Sequence, residues 1–220
     1  LGSMERLGIP GEDLDGVVDA LKFIERYKTS PNVPVGRRVV VVGGGNTAID
    51  AANAARRLGA EEVHVLYRRT EKEMPAFPFE YEHSKTEGVN FHWRLQPAAI
   101  LPAADDPSRA GAIRLVRIQL GARDASGRRR PEPAPGPPLD FPCDMVIPAI
   151  GQSRLMADLE ASRGIRLENG CVAVDRATGQ TANPRYYAGG DCVNGGREVV
   201  DAVADGKRAA RAILARLGAN

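Results

Sequence analysis

Hydrophobic residues recur along the chain in two rhythms, and the places where one gives way to the other mark out its elements. Arg38-Val39-Val40-Val41-Val42 is a continuous β-branched run, the pattern of a strand buried on both faces in a parallel sheet. Ala48, Ile49, Ala51, Ala52, Ala54, Ala55 and Leu58 then follow a helical period and predict a helix from about Asn46 to Leu58, stopped at Gly59. Its face of small residues suits close packing on a sheet. A second strand, Glu62–Tyr67, completes a β-α-β unit, and residues 37–96 as a whole read strand, helix, strand, helix, strand. Upstream, Val17, Val18, Leu21 and Ile24 give a short helical pattern before a Pro31/Pro34/Gly36 break. Downstream come alternating strands such as Ile113–Ile118 and two turn-rich loops, the second (about Ala122–Leu139) rich in Gly, Pro and Arg. The chain finishes with a buried-type strand, Met145–Gly151, and an amphipathic helix from near Glu198 to Leu217, where Gly218 can stop it.

The turn between the first strand and its helix carries the sharpest chemical signal. Gly43-Gly44-Gly45-Asn46-Thr47-Ala48 matches Gly-x-Gly-x-x-Ala, the fingerprint of a dinucleotide site. Gly43 lets the chain leave the strand sharply, Gly45 removes a Cβ that would collide with a pyrophosphate, and Ala48 keeps helix and strand close. The helix start offers free N–H groups and a partial positive charge to the phosphates. At the end of the second strand, where NAD-specific sites tend to place a carboxylate for the ribose, stand Arg68 and Arg69, 25 residues after Gly43. Two guanidinium groups suit a 2′-phosphate, so the pattern favours NADP over NAD, with Glu71 and Glu73 close enough to soften the preference. A second signal lies near the C-terminus. Ala188-Gly189-Gly190-Asp191 is a tight turn presenting a carboxylate, and the helix start at Glu198, Val199 and Val200 can donate backbone hydrogen bonds to a ligand.

Composition narrows the partners. In 220 residues, 30 Lys and Arg against 28 Asp and Glu leave a net charge of +2, too balanced to suggest nucleic acid or a membrane surface. No apolar run approaches the ~18 residues that a membrane span needs, and nothing at the start looks like a signal peptide, so the expected location is the cytoplasm. Cys143, Cys171 and Cys192 form no Cys-x-x-Cys pair, which leaves a redox dithiol, a disulfide framework and an iron–sulfur motif unsupported. His64, His83 and His92 show no metal-ligand spacing, and no metal site is expected.

Val42–Asp50, Tyr67-Arg68-Arg69, Glu73-Met74-Pro75-Ala76, Ala149-Ile150-Gly151 and Ala188–Asp191 together resemble the small (β) subunit of glutamate synthase. The chain is similar as well to the NADPH-oxidising part of dihydropyrimidine dehydrogenase, within the flavoprotein group with two dinucleotide-binding domains. The resemblance runs from Ile9-Pro10-Gly11-Glu12 to Ala209, sparing only the loop near 122–139. It implies that Gly43, Gly45, Asn46 and Thr47 line the NADPH pyrophosphate and that Arg68 and Arg69 meet the 2′-phosphate. Ile150-Gly151-Gln152 would pass beside the cofactor, Asp191 would bond the ribityl chain of FAD, and the helix start at Glu198–Val200 would point its amides at the flavin ring. In such proteins a first glycine motif and an iron–sulfur domain lie upstream. The abrupt Leu1-Gly2 start therefore reads as the interior of a longer chain.

The expected fold is α/β. A Rossmann-like NAD(P)-binding domain (35–145), with a parallel sheet and an antiparallel meander over about 91–142, is joined to the C-terminal half of an FAD-binding domain (146–220). Residues 1–34 are expected to be a remnant and linker of that flavin domain, packed with 143–220. The expected activity is that of a flavoprotein oxidoreductase, passing hydride from NADPH to FAD and electrons on to iron–sulfur clusters of an upstream domain or partner subunit. Hydride transfer needs the two rings placed rather than an acid or base, so no catalytic side chain is named. The alternatives are a nucleotide-binding module without turnover of its own, and an NADH-using relative.

Overall fold

The computed structural model describes residues 4–123, 127, 129–152 and 164–218. The Leu1-Gly2 start and residues 124–126 and 128 of the Gly/Pro/Arg-rich loop lie outside them. Its first elements are α1 (Ala20–Thr29), β1 (Arg38–Val42), α2 (Asn46–Arg57), β2 (Glu62–Tyr67), α3 (Pro78–Thr86) and β3 (Val89–Trp93). The antiparallel strands β4 (Leu95–Pro102), β5 (Ala110–Arg123), β6 (Arg129–Pro133) and β7 (Leu139–Pro142) follow, and β8 (Met145–Pro148) returns to the first sheet. That sheet is wholly parallel, in the order β3-β2-β1-β8.

The valine run of β1 explains the layering. Successive side chains of a strand point to opposite faces. Val39 and Val41, with Val63, Val65 and Ile147, face a core built from the alanines of α2 and from Ala20 and Phe23 of α1. Val40 and Val42, with Leu66 and Val146, face Ile100, Ile113 and Leu115 of the meander. Helices thus cover one face and the antiparallel sheet covers the other. In that sheet β5 is central, with β4 along one edge and β6 and then β7 pairing with it as well. The loop expected at 122–139 is therefore partly a strand, because Arg129–Pro133 continues the β5 pairing. The meander begins at Leu95, since residues 91–93 belong to the parallel sheet.

Contacts divide the chain into Met4–Gly151 and a unit that begins at Gln152. The division falls after Gly151 rather than at 145/146, and residues 4–34 belong to the unit that holds the parallel sheet. The reason is apolar complementarity. Val18, Leu21 and Ile24 pack with Ala20 and Phe23 against the alanine face of α2, while Leu7, Ile9, Leu14 and Val17 seal the meander side. Val17 also bridges Val146 in parallel, and the Glu5 N–H donates to the Gly151 carbonyl at 2.8 Å.

The unit from Gln152 holds the short pair β9 (Leu167–Glu168) and β10 (Cys171–Val172), the helical turn α4 (Asp191–Asn194) and the long helix α5 (Val199–Leu217), which stops at Gly218. No helix among the described residues is long and apolar enough to cross a membrane.

Two outcomes test this packing. Phe23 is fully buried, so Phe23→Ala is expected to lower unfolding free energy by about 3–5 kcal/mol in urea titrations. His64 Nδ1 and His92 Nε2 lie 3.0 Å apart beside Phe141, with Glu62 at 3.3 Å from the other ring nitrogen of His64. Burial, and secondarily His64, hold the His92 imidazole below the ordinary histidine range. The unfolded chain therefore takes up a proton at His92 where the folded chain does not. That contribution to stability is complete above about pH 6.5 and is lost as the pH falls below it. In His92→Gln the fall of the urea midpoint between about pH 7 and 5 is expected to be shallower than in the wild type.

Candidate functional site

The chain turns as soon as β1 ends. Gly43 has φ +149°, and a Cβ there would lie 2.2 Å from the Ala149 carbonyl oxygen, while a Cβ on Gly44 would lie 2.6 Å from the Tyr67 ring. The backbone can run between these groups only without side chains. Gly45 is different, because a Cβ there would meet no protein atom within 4 Å. It is the N-cap of α2, at φ −91° and with no side-chain cap hydrogen bond. Its missing side chain leaves room in front of a helix start whose first N–H groups have no partner within the helix.

Gly43, Gly45, Thr47, Arg68, Arg69, Ile150 and Gly151 all line one cleft of about 440 Å³, although they come from three separate stretches of the chain. Two neighbours in the motif do other work. Ala48 is fully buried in the helix-side core, which is what close helix–strand packing requires. The Phe77 N–H, at the start of α3, donates to the Asn46 side-chain oxygen at 2.9 Å. The Ala76 N–H donates to the Gly44 carbonyl at 3.1 Å, and the Tyr67 hydroxyl donates to the Glu73 carbonyl at 3.0 Å. Thr70 and Glu73 cap each other, so the whole segment 70–77 is fastened to the glycine turn, and its Pro75 joins the cleft wall.

The two arginines are unlike. Arg68 is exposed, whereas Arg69 is only 7% exposed. Its Nε–H donates to the Arg129 carbonyl at 3.1 Å, and its own carbonyl accepts the Arg94 N–H at 3.0 Å. Tyr67, Pro75, Leu7 and Ile9 also line the cleft but were assigned no role from sequence. Tyr67 could have been found as the aromatic residue ending the strand beside a glycine turn. Leu7 and Ile9 arrive from upstream of β1, and nothing local to them points to the cleft.

The remaining predicted residues lie in the unit that Gln152 begins. Gly190 has φ +69°, and its N–H donates to an Asp205 carboxylate oxygen at 2.8 Å. That bond, with lesser help from Arg208 and Arg176, holds the Asp205 carboxyl below the usual range. Asp191 opens α4, and one of its carboxylate oxygens accepts the Arg197 N–H at 3.4 Å. Glu198 is the N-cap of α5 and shares a capping box with Asp201, while Val199 and Val200 stand 79% and 68% exposed at the helix start. Of the cysteines, Cys143 lies in the meander-side core, where burial pushes its thiol up to about 12, and Cys192 is exposed.

A parallel sheet with a glycine turn at the end of its central valine strand, covered on one face by an antiparallel meander, is the architecture of FAD/NAD(P)-binding oxidoreductases. The family model described as pyridine nucleotide-disulphide oxidoreductase matches residues 1–206, and the chain belongs to that family. Over 220 residues it is 43% identical to the NADP(+)-dependent formate dehydrogenase subunit beta of Moorella thermoacetica, covering 97% of this chain and 30% of that protein. It is 35% identical over 224 residues to the glutamate synthase [NADPH] small chain of Escherichia coli (strain K12), covering 95% of this chain and 47% of that one. The likeness to glutamate synthase small subunits read from the motifs is thereby borne out, and the chain spans less than half the length of either relative. Among solved structures, Mycobacterium tuberculosis FprA in complex with NADPH superposes with a TM-score of 0.71 at 18% identity, over 99% of this chain and 63% of that one. That likeness concerns the fold.

Gly43 and Gly45 should respond differently to substitution. Gly43→Ala is expected to cost about 1–3 kcal/mol, from its backbone angle and the Ala149 contact. Gly45→Ser is expected to leave stability within about 0.5 kcal/mol of wild type, since serine is a good N-cap and its Cβ meets nothing. Urea unfolding of both variants distinguishes them.

Proposed function

We propose that the cleft at the end of β1 binds NADPH, and that the chain is the NADPH-binding part of an FAD-dependent oxidoreductase of the glutamate synthase small-subunit type. The observation that carries this reading is the open space in front of Gly45, at an uncapped helix start, in the same cleft as Arg68 and Arg69. A pyrophosphate fits that space, with the N–H groups of Asn46 and Thr47 as donors and the partial positive charge of α2 behind them. Arg68 and Arg69 would meet the 2′-phosphate, Arg68 as an exposed charge and Arg69 as a fixed donor in the wall. Asn46 would contribute through its backbone, because its side chain is committed to Phe77. Ile150 and Gly151 would flank the cofactor along the β8 side.

The residues of the second unit fit part of a flavin site. Asp191 offers an exposed carboxylate for ribityl hydroxyls, and Val199 and Val200 set apolar surface beside the α5 start, as a flat ring would need. Gln152 and Gly190 would shape the chain on either side. On this reading 152–220 is the C-terminal part of an FAD-binding domain. NADPH supplies a hydride when bound and FAD accepts it, the chain's own task being to hold and orient the two rings. In the whole protein, electrons would pass onward to iron–sulfur clusters of an upstream domain or a partner subunit, in the cytoplasm.

Calorimetric titration with NADPH and with NADH is the test. NADPH is expected to bind more tightly, and Arg68→Ala and Arg69→Ala are each expected to lose about 1–3 kcal/mol of NADPH binding while leaving NADH binding unchanged. Gly45→Ser is expected to abolish binding of both cofactors in a folded protein. Equal affinity for the two cofactors would remove the NADP assignment and favour an NADH-using relative. No binding of either would overturn the reading of the cleft. Binding of NADPH without uptake of added FAD would make the chain a nucleotide-binding module.

A further inference from the structure

A guanidinium discriminates a phosphate from a hydroxyl only if its planar fork is held at a fixed angle, because both the charge and the direction of its N–H groups matter. Arg68 is exposed and has no described partner that fixes it. Arg69 is held from two sides. Its carbonyl accepts from Arg94, which stands in the left-handed region at φ +57° where β3 passes into β4. The Arg94 carbonyl in turn accepts the Ile118 N–H of β5 at 2.8 Å. The Arg69 side chain reaches the other way, its Nε–H donating to the Arg129 carbonyl at the start of β6.

We propose that the β5–β6 hairpin is the specificity element of the cleft, with the Arg129 main-chain carbonyl as a positioning group that holds Arg69 by its Nε and leaves its two Nη groups as donors for a phosphate monoester on the adenosine ribose. The proposal rests on the NADPH reading of the cleft. The hairpin is built for such a role. β6 lies at the edge of its sheet, and an edge strand keeps one row of carbonyls that the ladder does not use. Pro131 and Pro133 carry no N–H, so the ladder gives β6 few donors and its anchoring depends more on bonds such as Arg69 to Arg129. Between the pairs Leu120↔Pro131 and Arg123↔Arg129, β5 has one more residue than β6, an irregularity of the kind that re-aims a strand near a site. The geometry also separates the roles of the two arginines. Arg68 attracts any anion, and Arg69 recognises one shape.

The ligand pair that isolates this effect is 2′-phospho-AMP against AMP, measured by calorimetry on four proteins. The wild type is expected to prefer 2′-phospho-AMP. In the first variant, residues 121–130 are replaced by Asn-Gly, a two-residue turn that can join the opposed Leu120 and Pro131. It is expected to lose roughly tenfold in 2′-phospho-AMP affinity with AMP affinity unchanged, and the AMP value reports that the protein is folded. In the second, Arg129→Ala with Arg130→Ala, the charges go and the carbonyl stays, so both affinities are expected to remain as in the wild type. The third, Arg69→Lys, keeps the charge but loses the planar fork, both its Nε–H and its two Nη donors, and is expected to fall as far as the excision. Because it leaves the hairpin whole, Arg69→Lys can overturn the proposal even if the excised chain does not fold. An excised or Arg69→Lys protein with the wild-type preference would overturn the proposal. So would an Arg129→Ala/Arg130→Ala protein as impaired as the excision, since charge alone would then be the cause. A wild type that does not distinguish the two nucleotides would overturn the NADPH reading itself, a result separable from the others.

Discussion

The cleft exists because the backbone can pass between the Ala149 carbonyl and the Tyr67 ring at Gly43 and Gly44. Both obstacles are part of the sheet's own construction. Ala149 follows β8, which pairs with β1, and Tyr67 ends β2, which pairs with β1 on the other side. Any side chain at the turn would have to displace one of the strands that bury the valines. The turn is thus a consequence of sheet packing before it is a ligand site, and the start of α2 is delivered to a fixed place by it. Gly45 alone is free of this constraint, and its bareness has no structural cause within the chain.

Around that fixed point the electrostatics are arranged by distance from solvent. An uncapped helix start contributes partial charge, an exposed Arg68 contributes reach, and a nearly buried Arg69 contributes direction. A buried guanidinium is costly unless its donors are taken up, and the Arg129 carbonyl takes one of them. The residue that looks most like a phosphate ligand in sequence is therefore also a joint between the parallel sheet and the meander. Segment 70–77 is a second joint, tying the glycine turn to α3 through Asn46, Ala76 and Tyr67.

Much of this was legible in the sequence, and the pattern of what was not is physical. β1, β2 and both long helices could be read to within a residue or so, because a β-branched run and a helical alanine face are local signals. The family and the glycine turn followed from short motifs whose meaning is also local. Three things were hidden. Asn46 was expected to line the pyrophosphate, and nothing local shows that its side-chain oxygen is taken up by an N–H 31 residues away. Residues 1–34 were expected to pack with 143–220; the described residues 4–34 do meet Val146 and Gly151, but their apolar faces match α2 and the meander, which only the assembled sheet reveals. β6 looked like a loop because its prolines and arginines are poor strand formers, and its pairing with β5 overrides that preference. Each miss concerns an interaction between distant parts of the chain.

The placement of β8 beside β1 has a consequence for how the chain acquires its structure. Val40 pairs with Val146, so one side of β1 finds its neighbour only after more than a hundred further residues have been made. During synthesis, β1, β2 and β3 can associate as soon as Trp93 is available, and the meander from Leu95 to Pro142 can form largely from contacts within itself. Throughout that interval a strand of four consecutive valines presents an open row of hydrogen-bonding groups, the kind of edge that other chains adopt readily. The segment of residues 4–17 cannot shield it, since Val17 docks on Val146 and waits for the same strand. The vulnerable species in the life of this protein is therefore a nascent one, with its glycine turn already made but β8, and the Ala149 that walls that turn, still to come.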